Sequence, residues 1–350
     1  MKVLITGACG FAGSSIGIWL SESFGTEFEV IGIDNFVRPG SWRNLQRLRD
    51  RGISVIHGDI RLPSDLERLG PVDWIIDAAA EASVLAGMHD TRRLMENNLL
   101  GTINLLELCK LHSAGFTLLS TSRVYSIAAL ASIPLRLADG GFAFDGERNA
   151  YLSEHGITED FPTTAPISLY GSTKLASEQI ALEYGLAFDF PVWINRCGVL
   201  AGAGQFGKAD QGIFAYWLHS WRENRPLRYI GFEGNGHQVR DVLHPRDLAI
   251  LVAAQVLQPE ISSARVLNVS GGQHSSISLR QLSQWCDKRW GTRNIEQDLA
   301  VRKYDLPWVV LDHSAATRCF GWQPAVDLDS ILKEIADFAD DHGDWISRCT

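Results

Sequence analysis

Tyr170 and Lys174 are the residues of this sequence whose types and spacing most directly suggest chemistry. They stand four positions apart, so they share one face if the segment is helical. A nearby ammonium group lowers the pKa of a tyrosine hydroxyl and makes the phenolate accessible. Such a phenolate can take the proton of a substrate hydroxyl while a hydride leaves the same carbon. The pair therefore indicates oxidation or reduction at a hydroxyl-bearing carbon, and a buried packing tyrosine is the structural alternative.

A third polar group is needed to orient the substrate oxygen. The segment Ser120-Thr121-Ser122 follows an apolar run, so it lies where a buried strand is expected to end. Thr121 is predicted to be the orienting residue, with Ser120 and Ser122 as local competitors.

A glycine-rich turn near the N-terminus predicts the site of the hydride acceptor. Gly7, Gly10 and Gly13 form a G-x-x-G-x-x-G run, and Phe11 and Ala12 begin the expected helix. Glycines at such a turn let the backbone approach a pyrophosphate, whose charge is met by the helix N-terminus. The run therefore predicts a dinucleotide cofactor.

Residues after the following strands are assigned to the rest of this cofactor. Asp34 ends the second apolar run, where an acid can bind the adenosine ribose hydroxyls. The acid favours NAD because it would repel a 2′-phosphate, whereas nearby Arg38 leaves NADP open. Asp59 is placed at the adenine. The further cofactor residues are Asn35, Ile60 and the small side chains of Ala78, Ala79 and Ala80.

These residues must be positioned by a fold in which strands and helices alternate. Strands are predicted at 2–6, 28–33, 53–57, 73–77, 116–120 and 192–195, and helices at 10–23, 90–112 and 167–184. Strands separated by helices form βαβ units, so we expect an α/β fold with a doubly wound parallel Rossmann sheet. Residues 127–166 break this rhythm and are predicted to be a long loop, functional or mobile.

Length and composition limit the classes of protein. The 350 residues suggest a cofactor domain at 1–195 and a smaller C-terminal α/β substrate-binding part at 196–350, with 240–270 returning to the Rossmann sheet. The net charge of -9 argues against a nucleic-acid partner. Six scattered cysteines show no metal spacing, and no apolar run reaches the ~20 residues of a membrane span. We predict a cytoplasmic enzyme with no metal and no membrane partner.

Together these residues resemble the extended short-chain dehydrogenase/reductase family. The resemblance covers the glycine run, Asp34, Asp59, the Asn98 segment, the Thr121 segment and the Tyr170/Lys174 pair. It implies that Lys174 also holds the nicotinamide ribose and that Asn98 and Cys197 belong to the cofactor site. Members commonly act on nucleotide-linked sugars. Many form homodimers through a four-helix bundle, which here would use the helices near 90–112 and 167–184.

Arg123 narrows the expected reaction. Members that dehydrate or decarboxylate nucleotide sugars have an acid at this position, two residues before Tyr125. Its replacement removes the usual general acid/base for carbanion chemistry. The resemblance therefore favours epimerisation by oxidation and re-reduction, or a one-way dehydrogenase or reductase.

The C-terminal half resembles the CDP-paratose 2-epimerase subfamily in two segments. One contains Gln205-Phe206 and Asp210-Gln211, and the other runs from 234 to 244 around Arg240. The resemblance implies that Arg240 grips a diphosphate, which suits its rigid fork. An ion pair between Arg240 and Asp241 or Asp247 is the structural alternative. The residues assigned to the substrate are Glu81, Ser122, Arg123, Gln205, Phe206, Gln211, Arg240 and Arg302.

Departures from that subfamily are concentrated around the sugar. Ser122 and Arg123 stand where the 2-epimerases have Asn and Lys, and Cys197 stands where they have a histidine. For Cys197 a packing thiol is favoured over a nucleophile. The expectation is NAD-dependent epimerisation of a nucleotide-linked sugar at C2. A UDP-sugar 4-epimerase, a one-way NAD(P)-dependent reductase and a non-catalytic NAD(P)-binding regulator stay open, as do the base and the sugar.

Overall fold

The computed structural model describes residues 1–209, 211–260, 262 and 264–349, so Asp210 lies outside the described residues. The strands are β1 (Lys2–Thr6), β2 (Glu29–Asp34), β3 (Ser54–His57), β4 (Trp74–Asp77), β5 (Gly115–Thr121), β6 (Leu135–Ala138), β7 (Gly141–Phe144), β8 (Val192–Cys197), β9 (Val199–Leu200), β10 (Arg228–Ile230), β11 (Val239–Leu243), β12 (Val266–Val269), β13 (Ser276–Ser278), β14 (Glu296–Asp298) and β15 (Trp308–Val309). The α-helices are α1 (Phe11–Phe24), α2 (Trp42–Arg49), α3 (Pro63–Glu67), α4 (Val84–His89), α5 (Thr91–Met95), α6 (Gly101–His112), α7 (Ile127–Ala131), α8 (Ser168–Phe188), α9 (Ile213–Arg222), α10 (Pro245–Leu257), α11 (Leu279–Trp290), α12 (Ser314–Phe320), α13 (Leu328–Asp341) and α14 (Trp345–Cys349).

Seven parallel strands form the central sheet in the order β12-β8-β5-β4-β1-β2-β3. The predicted doubly wound α/β fold is therefore confirmed. The strand order reverses between β1 and β4. In sheets of this kind ligands bind in the crevice outside the carboxyl ends of the strands at such a reversal.

Apolar side chains cover both faces of this sheet. Val3 and Ile5 of β1 face a cluster that includes α1 and α10, whereas Leu4 faces a second cluster that includes α6. This alternation follows from the two-residue period of a strand. The core residues of both clusters are buried, so apolar packing supports the sheet from both sides.

The C-terminal part forms a second, smaller layer. Strand β11 pairs with β9, β13 and β15, and β10 pairs with β14. Helices α9, α11 and α13 pack around a separate apolar core. Strand β12 lies at the edge of the central sheet, and α10 packs on α1, so parts of 240–270 contact the N-terminal part. The domain boundary near 195 stays a prediction.

The predicted helix over 90–112 is observed as a continuous helical segment from Thr91 to His112, which contains one π-helical turn. Asp90 accepts a hydrogen bond from the Arg93 amide at 3.0 Å and so begins α5 as an N-cap. A π-helical turn then occupies Glu96–Leu100 before α6 continues. Such a turn is frequently found at functional sites. Here it carries Asn98.

The prediction of a long loop over 127–166 is wrong in part. The segment begins with α7 and contains the hairpin of β6 and β7, in which Ala138 pairs with Gly141. Asp139 and Gly140 form its two-residue turn with φ of 50° and 83°. An Asp-Gly pair between alternating strands is a strong hairpin signal, and it was present in the sequence.

None of the helices in the described part of the chain is both long and apolar enough to cross a membrane.

Candidate active site

The turn between β1 and α1 forms a close cradle of backbone. The Gly10 amide donates to the Gly7 carbonyl at 2.9 Å, and a Cβ atom on Gly13 would lie 2.4 Å from that carbonyl oxygen. No side chain caps the N-terminus of α1 at Gly10. Phe11 and Ala12 form its first turn, so amide groups of this turn have no partner within the helix. These features fit the pyrophosphate of a dinucleotide.

Asp34 ends β2 and Asp59 follows β3, where the sequence predicts the adenosine to bind. The Asp34 carboxylate is buried and accepts the amides of Cys9 and Phe36 at 2.9 and 2.7 Å. Burial raises its pKa, and these two hydrogen bonds lower it. Asp59 lies beside Ile60 and binds Arg61 at 2.7 and 2.9 Å; these hydrogen bonds lower its pKa to about 2.

Asn35 links these two carboxylates. It follows Asp34 in the chain, and its side-chain amide donates to Asp59 at 3.1 Å. The acids that were predicted to meet the adenosine therefore belong to one connected loop region.

The Ala78-Ala79-Ala80 segment is held against the glycine turn. The amides of Ala78 and Ala79 donate to the Thr6 hydroxyl at 3.1 and 3.0 Å, and Thr6 in turn donates to buried Asp77 at 2.8 Å. Thr6 and Asp77 were not predicted from the sequence. Nothing in either local segment indicates that the ends of β1 and β4 share a hydrogen-bond network.

Asn98 fixes the next residue of this segment. Its side-chain oxygen accepts the Glu81 amide at 2.8 Å, and its nitrogen donates to the Glu81 carbonyl and to Thr173 at 3.1 and 3.2 Å. The Asn98 amide is therefore occupied by protein groups. Glu81 lies near Tyr170, where its carboxylate raises the pKa of the tyrosine.

Tyr170 and Thr121 meet at the carboxyl edge of the central sheet. Thr121 ends β5, and Tyr170 lies in the first turn of α8, so the two side chains come together from different elements. Burial raises the pKa of Tyr170 to about 12, whereas interaction with Thr121 and the charge of Arg123 lower it. The predicted net lowering of this pKa is therefore wrong for the protein alone, because burial dominates.

Ser120 and Ser122 lie in different surroundings from Thr121. Ser120 is buried and donates to Glu178, whereas Ser122 is half-buried in the short turn that follows β5. Of the three hydroxyls, only Thr121 lowers the pKa of Tyr170.

Lys174 is almost completely buried one turn after Tyr170. Burial lowers the pKa of Lys174, and Asp77, Glu178 and Cys197 raise it. Within the described chain its ammonium group has no hydrogen-bond partner, although only 1% of the residue is exposed. A buried ammonium of this kind fits a ribose hydroxyl acceptor.

Cys197 ends β8 beside Lys174. Burial raises the pKa of Cys197 to about 12, and Lys174 lowers it only partly. A thiol with such a pKa is not a nucleophile at neutral pH. This agrees with the favoured interpretation of Cys197 as a packing thiol in the cofactor site.

Three arginines lie close together near Tyr170: Arg123 follows β5, and Arg240 and Arg302 come from the C-terminal part. Arg240 donates to Asp305 at 3.1 Å, so its partner is neither of the predicted residues Asp241 and Asp247. Arg123 donates to the Tyr304 carbonyl at 3.1 Å, and Arg302 to the Ala209 carbonyl at 3.2 Å.

The arginines of this cluster repel one another. Burial, together with the charges of Arg240 and Arg302, lowers the pKa of Arg123 to about 10. Burial also lowers the pKa of Arg240. Asp305 lies near both Arg123 and Arg240, and Asp241 is a second carboxylate near Arg240.

Three further residues assigned to the substrate, Gln205, Phe206 and Gln211, contact other side chains or backbone groups of the protein. Gln205 donates to the Leu200 carbonyl at 2.8 Å, and its side-chain oxygen is buried without a partner in the described chain. Phe206 is buried and stacks on Trp345 with ring centroids 5.7 Å apart. Gln211 accepts a hydrogen bond from Arg38.

Within the described ranges no group of three or more His, Cys, Asp or Glu side chains is arranged to hold a metal ion.

Known proteins share this fold. The model of the NAD dependent epimerase/dehydratase family matches residues 3–270. The chain belongs to this family. Membership in the epimerase/dehydratase family confirms the expected enzyme class, of the extended short-chain dehydrogenase/reductase type, and NAD as the cofactor.

Relatives in the epimerase/dehydratase family match almost the whole chain. The chain is 28% identical over 349 residues to the CDP-paratose 2-epimerase of Salmonella typhi, covering 97% of this chain and 99% of that protein. It is 25% identical over 346 residues to the UDP-glucuronate 4-epimerase of Thermodesulfobacterium geofontis, covering 96% and 95%. The crystal structure of UDP-glucuronic acid 4-epimerase from Bacillus cereus with UDP-glucuronic acid and NAD superimposes with a TM-score of 0.77, 26% identity and coverage of 97% and 99%.

Proposed function

We propose that this protein epimerises the sugar of a nucleotide diphosphate sugar by oxidation to a keto intermediate and re-reduction. The observation that carries the proposal is the meeting of Thr121, Tyr170 and Lys174 beside a dinucleotide cradle. The similarity to nucleotide-sugar epimerases over nearly the whole chain supports it.

Residues of the chain transfer the proton and orient the sugar and the cofactor. Tyr170 takes the proton of the sugar hydroxyl and returns it after the sugar has turned in the pocket. Thr121 donates to the same sugar oxygen, and Lys174 binds the nicotinamide ribose while its charge favours the phenolate. Bound NAD supplies the hydride acceptor and, when oxidised, a positively charged ring.

The arginine cluster anchors the nucleotide diphosphate. Arg123, Arg240 and Arg302 bring three positive charges beside two carboxylates, Asp305 and Asp241, which leaves a surplus of positive charge. A diphosphate carries the complementary charge, and the planar fork of arginine binds phosphate oxygens in pairs. An uncharged substrate would leave this surplus without a partner, so the cluster speaks against a one-way reductase of neutral substrates.

The position of epimerisation is proposed to be C2, as in the CDP-paratose 2-epimerase that the chain resembles. Epimerisation at C4 is the second candidate, and the two UDP-glucuronate 4-epimerases favour it. Glu81 and Ser122 are proposed to contact the sugar, and Gln205, Phe206 and Gln211 belong to the proposed nucleotide-binding segment. The cytoplasmic location stays a prediction.

A homodimer formed through α6 and α8 is part of the proposal. These helices pack on each other and leave large apolar side chains exposed, including Leu111 at 74% and Leu186 at 81%. Two copies that pair these helices would bury that surface in a four-helix bundle.

The proposal is tested with the purified holoenzyme and a panel of CDP-, UDP-, GDP- and dTDP-sugars in deuterated water. We expect one nucleotide sugar to be converted to its epimer, detected by NMR, without solvent deuterium at the inverted carbon. Deuterium at that carbon would instead indicate a carbanion mechanism. Stoichiometric consumption of added NADPH without an epimer would contradict epimerisation and support a one-way reductase.

A further inference from the structure

Glu178 is a fully buried carboxylate behind the proposed active site. It accepts a hydrogen bond from the Ser120 hydroxyl and is paired with Arg196, whose Nη2 lies 2.8 Å and whose Nε lies 3.1 Å from Oε2. The two side chains of the ion pair are 0% and 7% exposed. One carboxylate therefore joins α8, β5 and β8.

Each of these three residues is adjacent to a group of the proposed site. Ser120 directly precedes Thr121, and Arg196 directly precedes Cys197. Glu178 lies one helical turn after Lys174, on the same face of α8. The Glu178 carboxylate thus connects the end of β5 to α8, the helix that carries Tyr170 and Lys174.

Arg196 extends the contacts to the opposite side. Its guanidinium lies 5.1 Å from the centre of the Tyr125 ring and donates to the Glu159 carbonyl at 3.1 Å. The Tyr125 hydroxyl donates to Asn268 at 2.6 Å. The ion pair is therefore held in one orientation by β12 and by the 127–166 segment.

Stability alone is a poor explanation for such a pair. Removing two charges from water costs several kcal/mol per ion, and replacing a buried pair by packed apolar residues is often neutral or stabilising. By contrast, the hydrogen bonds of the Glu178–Arg196 pair fix the orientation of both side chains, which apolar packing does not do.

We propose that Glu178 is a positioning residue, which holds Thr121 on β5 in register with Tyr170 and Lys174 on α8. The proposal rests on the proposed function of these three residues. As a positioning residue, Glu178 touches neither substrate nor cofactor. It acts through its hydrogen bond from Ser120 and through its position on the same face of α8 as Lys174.

The same carboxylate affects the charge of Lys174. The groups that raise the pKa of Lys174 against burial are Asp77 on β4, Glu178 on α8 and Cys197 on β8. Neutralising Glu178 removes one of them, so the pKa of Lys174 falls. Lys174 then loses its proton at a lower pH, and the alkaline limb of the activity profile moves to lower pH.

The test compares wild type, Glu178→Gln and Glu223→Gln as NAD-loaded holoenzymes. Glu223 is a matched control, because its carboxylate is also mostly buried and pairs with Arg225 at 2.5 Å in the C-terminal part. Reduction of bound NAD by the active nucleotide sugar is followed by stopped flow as a function of pH, with melting temperature measured in parallel. For Glu178→Gln we expect roughly 100-fold slower hydride transfer, little change in KM, unchanged NAD content and an alkaline limb at lower pH.

The outcomes separate positioning from stability. A Glu178→Gln enzyme that melts earlier but keeps the wild-type rate and pH profile would overturn the proposal. Should this variant fail to fold, Ser120→Ala removes the link to β5 while the ion pair stays, and roughly 10-fold slower transfer is expected; a wild-type rate there would likewise overturn it. Failure of the proposed function is seen separately, because wild type itself would then reduce no bound NAD with any nucleotide sugar.

Discussion

At the residue scale, the surroundings of Tyr170 oppose its ionisation. Burial raises the pKa of its hydroxyl to about 12, and Thr121 and Arg123 reduce that effect. The protein by itself therefore keeps Tyr170 protonated at neutral pH. Additional positive charge near the hydroxyl is required before it can act as a base.

Replacing Tyr170 with Phe tests its role. Turnover should fall by roughly 10³-fold, in line with the usual contribution of a general acid or base. NAD content, measured by native mass spectrometry, should not change, because only the hydroxyl is removed. Tyr229→Phe is the control: its hydroxyl binds Ser283 at 2.7 Å in the C-terminal core, and this variant should keep its turnover. Turnover of Tyr170→Phe within a few-fold of wild type would remove Tyr170 from the mechanism.

At the element scale, the entry of α1 depends on a close approach between Gly13 and Gly7. In Gly13→Ala the new Cβ atom would lie 2.4 Å from the Gly7 carbonyl oxygen. Alanine favours a helix by about 1 kcal/mol over glycine, but this cannot offset a contact with rigid backbone. We expect loss of copurified NAD and a lower melting temperature.

Gly343→Ala is the control for this prediction, because no atom lies within 4 Å of its Cβ position. It should bind NAD like wild type. Full NAD content in Gly13→Ala would show that the turn can relax, contrary to our account of the cradle.

Helix α9 contains a buried histidine that predicts sensitivity to acid. His219 is 1% exposed, and burial, with His342 and Arg225 nearby, lowers its pKa to about 4. In an unfolded chain the histidine pKa is near 6.5. Between about pH 4 and pH 6.5 the unfolded chain therefore binds a proton at His219 that the folded chain does not bind. The free energy of unfolding therefore falls as pH decreases through this window, by roughly 2 to 3 kcal/mol.

Urea unfolding at pH 7.5 and pH 4.5 measures this effect in wild type and His219→Gln. The loss of stability on acidification should be smaller in the variant, since glutamine does not titrate. Equal losses in both proteins would mean that other groups cause the acid sensitivity.

At the scale of the whole molecule, the outer surface of α6 and α8 is expected to mediate dimerisation. Leu186→Glu places a charge on a side chain that is 81% exposed in one chain. We expect sedimentation velocity to show a dimer for wild type and mainly monomer for this variant, because a charge cannot be buried without a partner. Leu137→Glu changes a leucine that is 57% exposed on β6 and should stay dimeric. A monomeric wild type at micromolar concentration would disprove the dimer.

The sequence by itself determined the features that depend on short spacing. The glycine run lies between one strand and one helix, and Tyr170 and Lys174 share a face because they are one helical turn apart. Strand periodicity likewise predicted six of the seven strands of the central sheet, with boundaries within two residues of the observed ones. The π-helical turn at Asn98, the Asp-Gly hairpin, the short helices α3, α4 and α7 and the strand β12 were not predicted at this level.

The tertiary structure alone decided which distant residues meet. Arg240 pairs with Asp305, Asn98 holds Glu81 and Thr173, and the Glu178 carboxylate joins Ser120 to Arg196. In each case the partners come from separate elements, and strand register and helix packing bring them together. Local propensity contains no information on that register, so a sequence that indicates each polar residue does not indicate its partner.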